Sequence, residues 1–330
     1  MKILITDPPD VLMSDLAGEC EYLRARAPGA EIDVYPYGDR ASLLARLPGV
    51  AGILTAFVPL DADLLARAPA LRAVSVQATG YDMVDAPAAA RRRIAVCAIP
   101  EYCTQEVADH TWALALALER NLKDHIGGVD GARRWQYDAP PRRPQGLSGR
   151  TFGLFGLGRI GRAVAARARA FGMEVLAVDD RVTPGEARAA GAELTGAETL
   201  LEKSYIISNH MNLSAETAGF FCLDVFRRMR GRPIFLNMGR GGHVVEADLC
   251  RALDEGLIRA AGLDVLASEN PDLTAHPLAG RPDVILTPHA AFYSEQSLRK
   301  LREISCENLL CCLQNRHREA YAVVNGVYEA

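Results

Sequence analysis

Three side chains in this sequence could share proton and carboxylate chemistry: Arg240, Glu269 and His289. Each stands just past a strand-like run. The run 233–237 is followed by Met238-Gly239-Arg240-Gly241-Gly242. The run 260–265 carries Asp264, with Glu269 five residues on. The run 283–287 is followed by Pro288-His289-Ala290-Ala291. In open α/β sheets ligands bind beyond the carboxyl ends of the strands, so the three are expected along one edge. A guanidinium can hold a carboxylate through two parallel hydrogen bonds, which a lysine cannot copy. An imidazole can pass a proton to or from a carbonyl oxygen while hydride moves at the carbon. A carboxylate beside that imidazole can hold it in orientation. Together they suit reduction of a 2-keto acid by a nicotinamide. Taken singly, each also has a plain packing role: His289 could be structural, Arg240 could brace a loop, and Glu269 could sit in a solvated turn.

A hydride source is legible upstream. Thr151 to Asp179 reads strand, glycine turn, helix, strand, acid. Gly156-Leu157-Gly158-Arg159-Ile160-Gly161 follows an apolar run and opens an alanine-rich helix, and Asp179 closes the next apolar run. That context gives the glycine spacing its meaning as a dinucleotide fingerprint. Gly156 permits the tight turn, Gly158 lets backbone approach a pyrophosphate, and Gly161 lets helix pack close to strand. The helix N-terminus offers unpaired N–H groups and a positive dipole end to phosphates. Asp179 is placed to accept from the adenosine ribose hydroxyls, which favours NAD over NADP.

The elements that must position these residues form two α/β patterns. Residues 1–98 alternate strands (2–6, 31–35, 51–56, 71–76, 93–97) with helices, and carry no phosphate-binding glycines. A helix is expected over 104–125, then an irregular connection over 126–148 containing Arg142 and Arg143. Six strands follow (151–155, 174–178, 205–209, 233–237, 260–265, 283–287). A helix is expected over 294–315, capped by Ser294, and a last strand over 321–324. The fold class is thus α/β, with two doubly wound parallel sheets. A Rossmann NAD domain (99–293) is inserted into a discontinuous flavodoxin-like substrate domain (1–98 and 294–330), leaving a cleft between them.

Composition narrows the function further. The chain has 330 residues, 49% of them hydrophobic, and a formal net charge of -4. There is no basic footprint for nucleic acid and no apolar run near the roughly 18 residues of a membrane helix. The first residues read directly as a strand, without a leader layout, so a cytoplasmic protein is expected. Eight cysteines occur without zinc-like spacing, so no metal is expected.

Several segments carry a resemblance over nearly the whole length: Ala78-Thr79-Gly80-Tyr81-Asp82, Leu147 to Thr151, GLGRIG at 156–161, NMGRGGHVVEADL at 237–249, Gly262 to Val265, and TPHAA at 287–291. The chain resembles the D-isomer-specific 2-hydroxyacid dehydrogenases. The stretch HAAFYSEQ at 289–296 is similar to their C-terminal binding protein-like branch, which has tryptophan where Phe292 stands. The resemblance implies NAD as cofactor, Arg240 as the substrate anchor, and Glu269 with His289 as the acid/base pair. Ala78, Thr79, Gly80, Tyr102 and Phe292 are implied on the substrate side. The cofactor side would hold Thr79, Gly156, Gly158, Arg159, Ile160, Gly161, Asp179, His210, Met211, Met238, Gly239, Arg240, Asp264, His289 and Ala291. A homodimer through the 104–125 region is implied as well. Asn212 departs from the proline usual in the family. An NAD(H)-sensing scaffold and a phosphite dehydrogenase stay open as alternatives. The particular keto acid is not legible, and Arg142 and Arg143 are either a solvated run or a contact for an anionic side group.

Overall fold

A computed structural model of the chain describes residues 1–9, 17–138, 140 and 142–328. It divides into two compact units, Met1–Tyr102 with Ser294–Ala330, and Cys103–Tyr293.

The first unit alternates β1 (Lys2–Asp7), α1 (Ala17–Arg26), β2 (Glu31–Pro36), α2 (Arg40–Arg46), β3 (Val50–Thr55), α3 (Ala62–Ala66), β4 (Ala73–Val76), α4 (Ala86–Arg91) and β5 (Ala95–Cys97). The strands pair in parallel in the order β2-β1-β3-β4-β5, which is the flavodoxin-like arrangement. Strands buried on both faces read as unbroken apolar runs, which explains why KILIT and VAGILT are so clear in sequence. Leu43, Ile53, Leu64 and Val74 fill one core. Ile3, Ile5, Leu54 and Leu309 fill another. A Cβ at Gly52 would lie 2.8 Å from the Leu313 side chain, so glycine lets the C-terminal helix close onto this sheet.

The second unit opens with α5 (Thr104–Glu119) and α6 (Leu122–Ile126), followed by a π-turn at Gly127–Gly131. The apolar spacing predicts one continuous helix over 104–125; the structure breaks it at Asn121. Asn121 takes a left-handed φ of +50°, which a short amide side chain tolerates, and its Nδ2 donates to the Arg142 carbonyl at 2.8 Å. Trp112 fixes α5, stacking between Phe152 and Phe171 at centroid distances of 5.2 and 4.6 Å, while its Nε1 donates to the Val164 carbonyl.

Then come β6 (Thr151–Phe155), α7 (Arg159–Ala170), β7 (Glu174–Val178), α8 (Pro184–Ala189), β8 (Glu193–Leu194), α9 (Ala197–Lys203), β9 (Ile206–Asn209), α10 (Leu223–Arg227), β10 (Ile234–Asn237), α11 (Glu246–Asp254), β11 (Ala260–Leu263) and β12 (Val284–Leu286). The sheet is parallel, in the order β12-β11-β10-β9-β6-β7-β8. It has seven strands rather than the six expected; β8 is two residues long and too short to leave a periodic signal. The order reverses between β6 and β9, the switch point where doubly wound sheets bind nucleotides.

Helix α12 (Glu295–Leu313) returns to the first unit, with Ser294 as N-cap accepting from the Ser297 amide at 2.9 Å. The strand expected over 321–324 does not form. Val323 makes an isolated antiparallel bridge to Cys97 on the edge strand β5, where the Ala98 amide donates to the Ala322 carbonyl and the Val324 amide to the Val96 carbonyl.

Candidate active site

The glycine loop sits at the switch point, and its three glycines differ in what surrounds them. Gly156 has φ +93°, and a Cβ there would lie 2.7 Å from the His210 carbonyl oxygen. A Cβ on Gly161 would overlap the Gly156 carbonyl oxygen. At Gly158 a Cβ would meet nothing within 4 Å. Gly156 and Gly161 therefore serve the fold, while Gly158 keeps a surface open. Gly158 is also the N-cap of α7 and provides no side-chain acceptor there, so no cap side chain covers the positive end of the helix. Arg159 is exposed and Ile160 half-buried beside it. The Asp179 carboxylate accepts from Leu157 N at 2.7 Å, Arg181 N at 2.9 Å and Val182 N at 3.1 Å. It ties the loop to the end of β7, and a carboxylate has about four acceptor positions, so capacity for a hydroxyl remains. An open glycine face at a helix N-terminus and a strand-end acid fit a dinucleotide.

Across the switch point, β9 ends in Asn209-His210-Met211. The His210 amide donates to the Phe155 carbonyl at 2.7 Å, and its Nε2 lies 2.8 Å from Ser208 Oγ. Burial pushes this imidazole down to about 3, so it is neutral. The turn after β10 holds Met238, Gly239 and Arg240. Its backbone is gripped by three fully buried polar side chains, Asn209, Asn237 and His243. Asn209 Nδ2 donates to Asn237 Oδ1 at 2.9 Å. Asn237 Nδ2 donates to the Arg240 carbonyl at 2.9 Å. His243 Nδ1 faces two donors, Asn209 Nδ2 at 3.0 Å and the Arg240 amide at 3.2 Å, and lies 3.1 Å from the Arg240 carbonyl. Two N–H groups aimed at one ring nitrogen call for an unprotonated Nδ1. Burial, the largest cause, lowers the His243 pKa and keeps the ring neutral. The Arg240 guanidinium donates from Nη1 to the Gly239 carbonyl at 3.0 Å.

Two loops along, His289 Nδ1 and Glu269 Oε2 lie 2.8 Å apart. The histidine side chain is 26% and the glutamate 46% exposed, so the pair is open to solvent rather than sealed. His289 has φ +50°. Its amide donates to the Asp264 carbonyl at 2.7 Å, and the Asp264 carboxylate accepts from the Ala290 and Ala291 amides at 2.9 Å each. Phe292 meets His289 edge to face, with ring centroids 6.2 Å apart.

Within the first unit, Ala78, Thr79 and Gly80 follow β4, and the Ile99 amide donates to the Ala78 carbonyl at 2.9 Å. Thr79 is exposed, whereas Tyr102 is buried. Arg142 stands elsewhere: its Nη1 donates to the Arg259 carbonyl at 2.7 Å. It lies beside a buried hub in which the Tyr205 hydroxyl and Arg259 both bond Glu119. Tyr205 and Arg259 precede β9 and β11, so this hub occupies the sheet edge opposite Arg240 and His289. Two polar residues at the candidate site, Asn209 and His110, carry no motif of their own, and His243 lies within the 237–249 motif without any sign there of its bond to Asn209. His110 lies on α5, and its contact with Thr287 spans 177 positions. Among the described residues no cluster of three or more His, Cys, Asp or Glu could hold a metal.

Comparison with known proteins gives the family. The model of the D-isomer specific 2-hydroxyacid dehydrogenase NAD binding domain matches residues 112–291. A glyoxylate reductase of Korarchaeum cryptofilum is 37% identical over 254 residues, covering 76% of each chain. A glycerate dehydrogenase of Methylorubrum extorquens is 34% identical over 271 residues, 81% of this chain and 84% of that one. A D-3-phosphoglycerate dehydrogenase of Mycobacterium leprae is 35% identical, but the match spans only 53% of its length. Among solved structures, D-lactate dehydrogenase from Aquifex aeolicus, crystallised with NAD and lactic acid, superposes with a TM-score of 0.85 at 27% identity, covering 97% of each chain. The chain therefore belongs to the D-isomer-specific 2-hydroxyacid dehydrogenase family and is an NAD-dependent enzyme of it.

Proposed function

We propose that the enzyme works as a 2-keto acid reductase, with Arg240 holding the substrate carboxylate and His289 protonating the carbonyl oxygen. The observation that carries this reading is the 2.8 Å contact between His289 Nδ1 and Glu269. With Nδ1 directed at a carboxylate, Nε2 is the nitrogen that carries the transferable proton. Glu269 orients the ring and balances the charge of the imidazolium that donates. Bound NADH supplies the hydride for the carbonyl carbon. Arg240 presents a planar fork to the carboxylate, on a turn whose backbone is locked by Asn209, Asn237 and His243. Phe292 walls the side of the pocket next to His289, and Ala78, Thr79, Gly80 and Tyr102 keep the substrate-side role given by the resemblance. Met211, Met238, Gly239, Asp264 and Ala291 join the glycine loop, Arg159, Ile160, Asp179 and His210 in holding the cofactor. We also infer a homodimer. Leu122, Ile126, Trp135 and Tyr137 are exposed large apolar residues within sixteen positions of each other, Trp135 at 93% and Tyr137 at 91%. Such a grouping fits an interface with a second copy.

The test is NADH consumption with a panel of 2-keto acids, glyoxylate and hydroxypyruvate among them. Turnover should appear with at least one acid. His289→Gln should lose roughly a hundredfold to ten-thousandfold in kcat, the scale of general acid catalysis. Arg240→Lys should raise KM for the keto acid while NADH binding, read by fluorescence, persists. Full turnover in either variant would overturn the assignment of that residue.

A further inference from the structure

His289 combines a Cβ with a left-handed backbone, φ +50°, so something must hold it there. The restraint can be followed bond by bond within the second unit. The Asp264 carbonyl takes the His289 amide. The Asp264 carboxylate, on a residue only 2% exposed, takes the next two amides, Oδ1 from Ala290 and Oδ2 from Ala291. Its Oδ1 also takes the Thr287 hydroxyl at 2.6 Å. A hydroxyl has a single proton. Thr287 has given it to Asp264, so toward its other neighbour it can only accept. That neighbour is His110 Nε2, 2.9 Å away and 3.6 Å from Asp264 Oδ1. His110 Nε2 therefore carries a hydrogen. Its helix, α5, is fixed by the Trp112 stack described above.

We propose that His110 is a positioning residue for His289, acting through Thr287 and the Asp264 carboxylate. The proposal rests on the reading of His289 as the proton donor. The His110 N–H sets the Thr287 rotor so that its proton points at Asp264. That donor in turn fixes the plane of a carboxylate that pins both amides after His289. Nε2–H is present in the neutral Nε2 tautomer and in the imidazolium alike, so the tie is geometric. Glutamine can replace it, because its Nε2 lies the same number of bonds from Cα and also donates. Leucine fills similar space and donates nothing.

The experiment compares His110→Leu, His110→Gln, Thr287→Val and the double variant His110→Leu/Thr287→Val in NADH-dependent keto acid reduction. Melting temperatures and the His289 ring signals in NMR spectra of the same proteins are recorded. His110→Leu should lower kcat roughly tenfold to a hundredfold, the scale of a small misplacement of a reacting group, with KM for the keto acid within about threefold. His110→Gln should recover most of that loss without moving the pH profile. The double variant should be no worse than either single one, because both cut the same relay. His289 signals should shift in the leucine and valine variants and stay near wild type in the glutamine one. Losses that multiply in the double variant, or a glutamine variant as slow as leucine, would overturn the relay. So would a folded His110→Leu protein with normal kcat. A wild type without keto acid turnover, or a fully active His289→Gln protein, would instead defeat the reading of His289. In that case the His289 signals alone decide the relay.

Discussion

At the scale of single residues, the candidate site is built from polar groups with assigned donor and acceptor roles. His243 shows how strict the assignment is. Its Nδ1 faces the Arg240 amide and the Asn209 side-chain amide, and it can accept only while unprotonated. Burial keeps its pKa below the usual histidine range, so the ring stays neutral into mild acid. Further acid adds a proton at Nδ1, opposes the two donors and places a cation beside Arg240. Asparagine offers an acceptor, Oδ1, the same number of bonds from Cα, and does not titrate. Leucine keeps bulk and offers none. His243→Leu should therefore raise KM for the keto acid about tenfold, the cost of roughly one buried hydrogen bond, with NADH affinity unchanged. Wild type should show a rise in KM on the acid side, and His243→Asn should keep a near-normal KM and lose that rise. Steady-state kinetics across pH for the three proteins checks this, and equal KM values in all of them would remove His243 from the support of Arg240.

At the scale of elements, the glycine loop separates folding from binding within six residues. A Cβ on Gly161 meets backbone, the Gly156 carbonyl, which cannot move without α7 leaving β6; a Cβ on Gly158 meets nothing. Gly161→Ala should lower stability by about 1–3 kcal/mol, as overpacking does, and weaken NAD binding with it. Gly158→Ala should melt like wild type yet lose NAD affinity, because its Cβ occupies the face left open for the pyrophosphate. Calorimetric melting and NAD titration separate the two, and matching melting losses would contradict the division. This loop was readable in the sequence because its constraints are local: three glycines, an adjoining strand and an acid eighteen positions on. Strands β1, β3 and β6 were readable for the same reason, each a run buried on both faces. What stayed hidden depends on distant partners. The helix break at Asn121 turns on one backbone angle and a bond to Arg142, neither of which alters apolar spacing. Strand β8 is too short to show a period. The 321–324 segment has strand composition, but whether a strand forms depends on the sheet edge it meets. His110 and Thr287 touch across 177 positions, and nothing in either local sequence announces the other. Arg142 shows the reverse case, a charge that could have met a substrate and instead braces the sheet end away from Arg240 and His289.

At the scale of the whole molecule, no described helix is long and apolar enough to cross a membrane, and five exposed large apolar residues, Leu122, Ile126, Val129, Trp135 and Tyr137, fall within positions 122–137. Ile126 is 58% exposed at the end of α6. If a second copy covers this region, Ile126→Glu should convert a dimer to a monomer of the same fold. Light scattering should report half the wild-type mass, with helix content unchanged by circular dichroism. A monomeric wild type, or an unaltered mass in the variant, would refute the interface. The left-handed backbone at His289 also reaches the whole molecule. A side chain with a Cβ in that conformation costs on the order of 1–2 kcal/mol relative to ordinary backbone, a noticeable share of the roughly 5–15 kcal/mol that separates a folded domain from its unfolded chain. Selection on folding alone would place glycine or asparagine there. With His289 as the proposed proton donor, stability and turnover pull this position in opposite directions, and under that proposal a descendant of this chain released from catalysis would be expected to lose His289 early and become harder to melt as it did.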